Sequence, residues 1–180
     1  ALSSTQIKAL SSTQIAALES DDIATLSSTQ LSAVTAAAIT GLTLSQMDAL
    51  SATNIVGLTS AQINALSTSQ VAQLDSDQVD ALTSTQIGAL SAAAMGVMAS
   101  DEIATFSSDE VAAISTKVLA QISTDAIANF NSDQLGALSS KQIASLTSAQ
   151  VGVLSSDQVA GLTSSQVSAL TVKQVAALST

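Results

Sequence analysis

The chain contains no histidine, cysteine, tryptophan, tyrosine, arginine or proline, and two phenylalanines are its only aromatic side chains. Each absence removes a class of function. Without cysteine there are no disulfide staples and no thiolate chemistry, a composition that suits an exported protein. Without histidine there is no ready general base beside the many serines and threonines, and the commonest metal ligand is missing. Four lysines stand against 14 acids for a net charge of −10. Nucleic acid is therefore not an expected partner, because phosphate contacts need a basic face. The longest apolar run, residues 92–99, is far shorter than the roughly 20 residues a membrane-spanning helix requires. No basic segment followed by an apolar stretch opens the sequence, so it reads as a mature protein or an excised segment. Phosphate loops, dinucleotide fingerprints and zinc spacings are absent from the sequence as well.

What is present is one frame of eight residues, running without insertion or deletion through all 180 positions as 22 octads and a closing Ala177–Thr180. Self-similarity at a short fixed period signals an array or solenoid in place of an ordinary globular core. With the octad numbered from Ala1, position 2 is apolar in every copy, mostly Leu, and position 7 is apolar in every copy, from Ile7 to Val175. Position 3 is Ser, Thr, Asp or Asn except at Glu19 and Ala99, and position 6 is Gln in 14 of 22 copies. Alanine dominates positions 8 and 1, and all seven glycines fall there.

These regularities describe a helix start. A hydroxyl at position 3 accepts from the backbone N–H three residues on, and the glutamine at that residue reaches back to the N–H of position 3, which is a capping box. Positions 2 and 7 are then N′ and N4, the pair that forms a hydrophobic staple. Twelve of the 14 acids sit at positions 3, 5 or 6, inside the first turn, where the helix dipole favours negative charge. Lys117, Lys141 and Lys173 at position 5 run against that preference. Glycine at positions 8 and 1 falls where a helix ends and the chain turns. Each octad accordingly predicts one helix of one to one and a half turns. Replacing Gln142 or Gln150 by Ala should then cost one cap, about 0.5–2 kcal/mol.

Two rivals fit less well. In a continuous helix an eight-residue period advances the apolar stripe by roughly 80° per octad, too fast for a supercoil, and repeated caps would compete with the backbone ladder. A β-solenoid suits Ser, Thr, Val and Ile, but positions 2 and 7 have opposite parity and would face opposite sides of one strand. One octad buries too few aliphatic groups to offset ordering eight backbones, so octads must stack on one another. The expected fold is an all-α solenoid of very short helices, with the β-solenoid as the alternative. It forms a single repeat domain over residues 1–180, with the number of octads per turn open: two would give a flat hairpin, three or four a triangular or square tube.

Departures from the frame are few. Ala38, Ala94, Val118 and Ala126 replace the polar group at position 6; they read as small apolar surface patches, through drift in a redundant repeat more than as a lateral contact face. Leu44, Val56, Val97, Val153 and Val172 carry the same ambiguity. Ala99 removes a cap beside Gly96 and Met98, which marks residues 94–99 as a local bend. Paired acids occur at Asp21–Asp22, Asp75 and Asp77, Asp101–Glu102 and Asp109–Glu110. Such pairs can serve hydrolysis or bind calcium, but acids at helix starts account for them better. No catalytic, cofactor-binding or metal-binding residue is assigned, no cofactor is expected, and the chain is not expected to be an enzyme.

The segment LTSAQVGVL at 146–154 resembles the Leu-Thr-x-x-Gln helix starts of bacterial repeat proteins such as the TAL effectors, whose longer period and base-reading pair are missing here. ALSSTQIA (9–16), ALTSTQIG (81–88) and GLTSSQVS (161–168) resemble the octapeptide-repeat tracts of very large secreted or surface proteins of Gram-negative bacteria, of the haem-utilisation and adhesion type. The likeness spans the whole chain. It implies an extracellular or cell-surface spacer or adhesive stalk; haem binding does not carry over, since no His or Tyr ligand exists. The expected function is structural: a rod-like spacer, or a subunit that self-associates end to end through Leu2, Ile7, Val175 and Leu178 on ends without polar caps, or a stretch of tandem repeats in a larger protein. The alternative is a binding module using the solenoid face for a protein, a glycan or ice. Threonine recurs at no constant octad position, so a flat ice-binding rank is not encoded.

Overall fold

Each octad folds into the element that its first turn encodes. The computed structural model describes residues 2–178, in which 22 helices of four to six residues follow one another with no strand among the described residues. Position 3 is the N-cap throughout, with extended dihedrals such as φ −81°, ψ 165° at Ser11 and φ −73°, ψ 158° at Thr147. Its side chain accepts from the N–H of position 6 at 3.1–3.3 Å for a hydroxyl cap and 2.8–2.9 Å for Asp75 and Asn131. Ala99 and Glu19 make no such bond, yet the helices Ser100–Ala104 and Ser20–Ala24 form at the expected place. Where position 6 is Gln, Oε1 accepts the N–H of position 3 and completes the box, as in Ser11 N–H to Gln14 at 2.9 Å. The β-solenoid alternative is excluded by this all-helical architecture.

No described residue, glycine included, has a positive φ. The chain turns instead through two consecutive extended residues, positions 2 and 3, as at Leu66 (φ −60°, ψ 137°) and Ser67 (φ −71°, ψ 160°). The N–H of position 2 donates back to the carbonyl of position 7, closing each helix at 3.0–3.4 Å; Leu58 to Ile55 and Leu146 to Ile143 are examples. Because the corner needs no left-handed residue, glycine has another purpose at two of its sites. A Cβ at Gly41 would lie 2.1 Å from the carbonyl oxygen of Ser12, and one at Gly57 would lie 2.3 Å from that of Ser28. Backbone meets backbone there, and only glycine leaves room.

The chain divides into two compact units, Ala1–Leu90 and Ser91–Thr180. Within the first, every helix packs on the helix three octads further along. Ser4–Lys8, Ser28–Ala33, Ala52–Ile55 and Ser76–Asp80 form one column, Ser12–Ala16, Ala36–Ile39, Ser60–Ala65 and Ser84–Ile87 a second, and Ser20–Ala24, Leu44–Asp48 and Thr68–Val71 a third. The second unit repeats the arrangement, with Ala92–Met95, Thr116–Leu119, Ser140–Ser145 and Ser164–Ala169 as its first column. About three octads therefore complete a coil, which settles the count that the sequence left open.

The core is the pair of apolar positions. Position 7 is buried in every octad from Ile7 to Val151, and position 2 is buried from Val34 to Leu162. Each helix thus puts its staple residues inside, where the aliphatic rows of successive coils remove one another from water. Two expectations change as a result. Ile7 is buried, not an exposed end residue. Ala38, Ala94, Val118 and Ala126 are buried too, so they fill the interior in place of an amide and present no surface patch.

Candidate functional site

The one polar feature that recurs inside the coils is position 6. Gln46, Gln62, Gln70, Gln78, Gln86, Gln134, Gln142, Gln150, Gln158, Gln166 and Gln174 are all buried. Burying a primary amide without partners would be costly, and each of these has its partners on two sides. Oε1 accepts the N–H of its own N-cap residue, while Nε2 donates to carbonyls of the coil before. Gln46 Nε2 lies 2.9 Å from Ile15 O and 2.7 Å from Leu18 O; Gln150 Nε2 lies 2.9 Å from Leu119 O and 2.7 Å from Ile122 O.

The acceptors are always the same two kinds of carbonyl, 31 (or 30) and 28 residues back: one at the C-terminal end of a helix, one on the extended residue that follows at position 2. The position 7 carbonyl already accepts the N–H of the position 2 residue that follows it, as Ile15 O does from Leu18 at 3.2 Å, and takes the glutamine as a second donor. The position 2 carbonyl, on an extended corner, has no local partner. One glutamine side chain therefore completes the start of its own helix and the end of another one coil away. The result is a ladder of amide rungs through each unit, described from Gln30 to Gln86 in the first and from Gln134 to Gln174 in the second.

The first unit also shows what a shorter side chain does. Asn54 is buried, its Nδ2 is 3.4 Å from both Ala24 O and Leu26 O, and its Oδ1 has no partner. One methylene fewer keeps it from reaching the N–H of Ser51. Glutamate is the opposite case: Glu110 accepts from the N–H of Ser107 and completes that box, and Glu102 accepts from the N–H of Ala99 at 2.9 Å, where alanine offers no return bond, but a carboxylate has no N–H to offer as a rung.

The acidic pairs lie on the helix starts. Asp75 is an N-cap whose Oδ1 accepts Gln78 N–H at 2.8 Å, Glu110 and Glu102 accept the N-cap N–H groups just described, and Asp21, Asp22, Asp77, Asp101 and Asp109 are exposed in first turns. Among the described residues no group of three or more Asp, Glu, His or Cys is arranged to hold a metal ion. No helix among them is long and apolar enough to cross a membrane. Of the apolar departures, Leu44, Val56, Val97, Val153 and Val172 are exposed, Val172 most at 86 %. Sideways contacts between coils are polar, such as Asn64 Nδ2 to Ala89 O at 3.1 Å and Gln73 Nε2 to Asp48 at 2.6 Å.

The arrangement supplies a directional contact that one octad makes with the coil before it and offers to the coil after it. Comparison with known sequences meets the same unit. A family model described as the ALTTAQ repeat matches residues 1–28, 15–52, 46–76, 55–92, 103–140, 127–164 and 148–180. The matches cover all but residues 93–102, the stretch that holds Ala94 and the uncapped Ala99. The family's six letters correspond to octad positions 1–6, as in ALTSTQ at 81–86, and end on the rung glutamine. No curated protein gives a match.

Proposed function

The chain belongs to the ALTTAQ repeat family, and on that premise we propose that it is a structural protein: a spacer or stalk whose task is to make length, able to associate end to end. The observation that carries this reading is the glutamine ladder. Its buried polar groups are directed at the neighbouring coil and not at a ligand, and they recur with one geometry in both units. The serines and threonines of position 3 are occupied as N-caps. The reading is therefore of a non-enzymatic protein without a cofactor. An extracellular or cell-surface setting goes with it, through the resemblance to surface-protein octapeptide tracts; a chain without cysteine needs no disulfide there.

The test is additivity of length. A duplicate of residues 57–80, three whole octads, is inserted after residue 80, and solution scattering is recorded for both chains. A spacer gains in its longest dimension at constant cross-section. Growth in every dimension at once would refute the reading. Retention of a specific protein or glycan at micromolar concentration would favour the binding-module alternative instead.

A further inference from the structure

Position 5 is exposed wherever it carries a charge, and the two units use it differently. In the first unit Asp21 and Asp77 are the only charged residues at this position. In the second unit eight of the eleven are charged, in the order Asp101, Asp109, Lys117, Asp125, Asp133, Lys141, Asp157 and Lys173. The coils are built alike in both units, so folding does not require these charges.

Stacking sorts them by sign. Three octads make a coil, so position 5 recurs in one column every 24 residues, as Asp109 and Asp133 do. The column Ser108–Ala113, Ser132–Ala137 and Ser156–Ala160 carries Asp109, Asp133 and Asp157, one per coil, with Glu110 beside the first and no lysine. The column Ala92–Met95, Thr116–Leu119, Ser140–Ser145 and Ser164–Ala169 carries Lys117 and Lys141 on successive coils and no acid. The third column has Asp101 and Asp125 but continues through Ala149 to Lys173, so it holds no row of one sign.

The two rows do not share an explanation. Aspartate in a first turn is favoured by the helix dipole and needs no partner. Lysine there is disfavoured, and Lys117 and Lys141 find no counter-charge in their own column. Cations kept on successive coils against the dipole are suited to an anion outside the chain. An anionic row of the same period lies in another column of the same unit.

We propose that the lysine row of the second unit pairs, side by side, with the aspartate row of the second unit in another copy of this chain. Both rows advance by one coil per charge, so Lys117 and Lys141 meet two successive members of Asp109, Asp133 and Asp157 in register. Each copy offers one row as cation and the other as anion, so the contact is heterologous and repeats from copy to copy. It runs along the sides of the coils and goes beyond the spacer reading, which stands whether or not copies pair. Exposed ion pairs are individually weak and screened by salt, so this association is salt-labile.

Sedimentation velocity of the full chain at about 0.01 M and about 1 M salt tests this, since the screening length falls from about 30 Å to about 3 Å. Association should be present at low salt and at least about tenfold weaker at high salt. Lys117→Gln/Lys141→Gln should abolish it with helical circular dichroism unchanged. Lys8→Gln/Lys173→Gln, the same loss of charge at exposed sites, should leave it as in the wild type. Exchanging the signs supplies a second arm. Lys117→Glu/Lys141→Glu and Asp109→Lys/Asp133→Lys/Asp157→Lys should each be monomeric alone and should associate when mixed. Both variants stay net negative, so overall charge does not draw them together. A wild-type chain that is monomeric at low salt overturns the proposal, as do equal effects of the two glutamine variants or a mixture that stays monomeric. Self-association of the triple lysine variant alone would assign the contact to Asp101 and Asp125 and overturn it too. Heparin binding by a wild-type monomer, lost in Lys117→Gln/Lys141→Gln, would give the lysine row to an anionic polysaccharide instead.

Discussion

Truncating Gln150 to alanine separates a cap from a rung. Gln150 makes three hydrogen bonds: Oε1 accepts Thr147 N–H at 2.8 Å, and Nε2 donates to Leu119 O at 2.9 Å and Ile122 O at 2.7 Å. The side chain is 2 % exposed, so water does not replace what is lost. At a net worth of about 1 kcal/mol per bond, with a further penalty for each buried group left unpaired, Gln150→Ala should cost about 3–5 kcal/mol. Gln14 makes the same cap at the surface and no rung, so Gln14→Ala should cost only about 0.5–1 kcal/mol. Urea unfolding followed by circular dichroism measures both. Gln150→Glu adds a second arm. It keeps the acceptor for Thr147 N–H but turns a carboxylate oxygen toward two carbonyls, so its folded-state pKa should rise above the usual 4.3 or so. The excess destabilisation over wild type should be absent below about pH 4, where the acid is protonated in both states, and should grow as pH rises through that folded pKa. Equal costs for Gln14→Ala and Gln150→Ala would show that the amide acts as a cap alone, and the ladder would have no energetic meaning.

Other substitutions follow from the same geometry. Asn54→Gln should stabilise the chain by about 1–3 kcal/mol, since the longer side chain gives Ser51 N–H its acceptor and relieves the unpartnered Oδ1; a lower urea midpoint would contradict this. Gly41→Ala drives a methyl into the Ser12 carbonyl and should cost about 1–3 kcal/mol, whereas Gly136→Ala, inside Ser132–Ala137 with nothing within 4 Å, should gain about 0.5–1 kcal/mol. The opposite signs are read from paired melting curves. Ala99→Ser restores the missing hydroxyl cap of Ser100–Ala104 and should raise stability by about 0.5–1.5 kcal/mol, without change in helix content.

The helix starts were legible because a capping box is local: position 3 and position 6 speak to each other across three residues, and Leu10 with Ile15 or Leu146 with Val151 flank them as the staple. The second role of the glutamine was not legible in the same way, because Nε2 of Gln46 finds its acceptors at Ile15 and Leu18, a coil earlier. A signal did exist. A box accepts Glu as readily as Gln, yet position 6 holds 14 glutamines and only Glu102 and Glu110. A preference that strong for an amide means that its N–H groups are used. The place of glycine at helix ends was legible, but its reason at Gly41 was not: the corner is made by extended residues such as Leu66 and Ser67, and the demand on Gly41 comes from Ser12, distant in sequence. Ala38 and Val118 looked like surface departures because position 6 was taken for an exposed capping site. Once the coil before covers it, an apolar group there is core.

The central claim is that each coil is tied to the one before through the glutamine side chain. Nuclear Overhauser contacts from the Nε2 protons of Gln150 report on it directly. The account predicts cross-peaks to Leu119 and Ile122, together with slow solvent exchange of those amide protons and fast exchange for Gln14. Contacts confined to Thr147 and its sequence neighbours, with Gln150 exchanging as fast as Gln14, would contradict it.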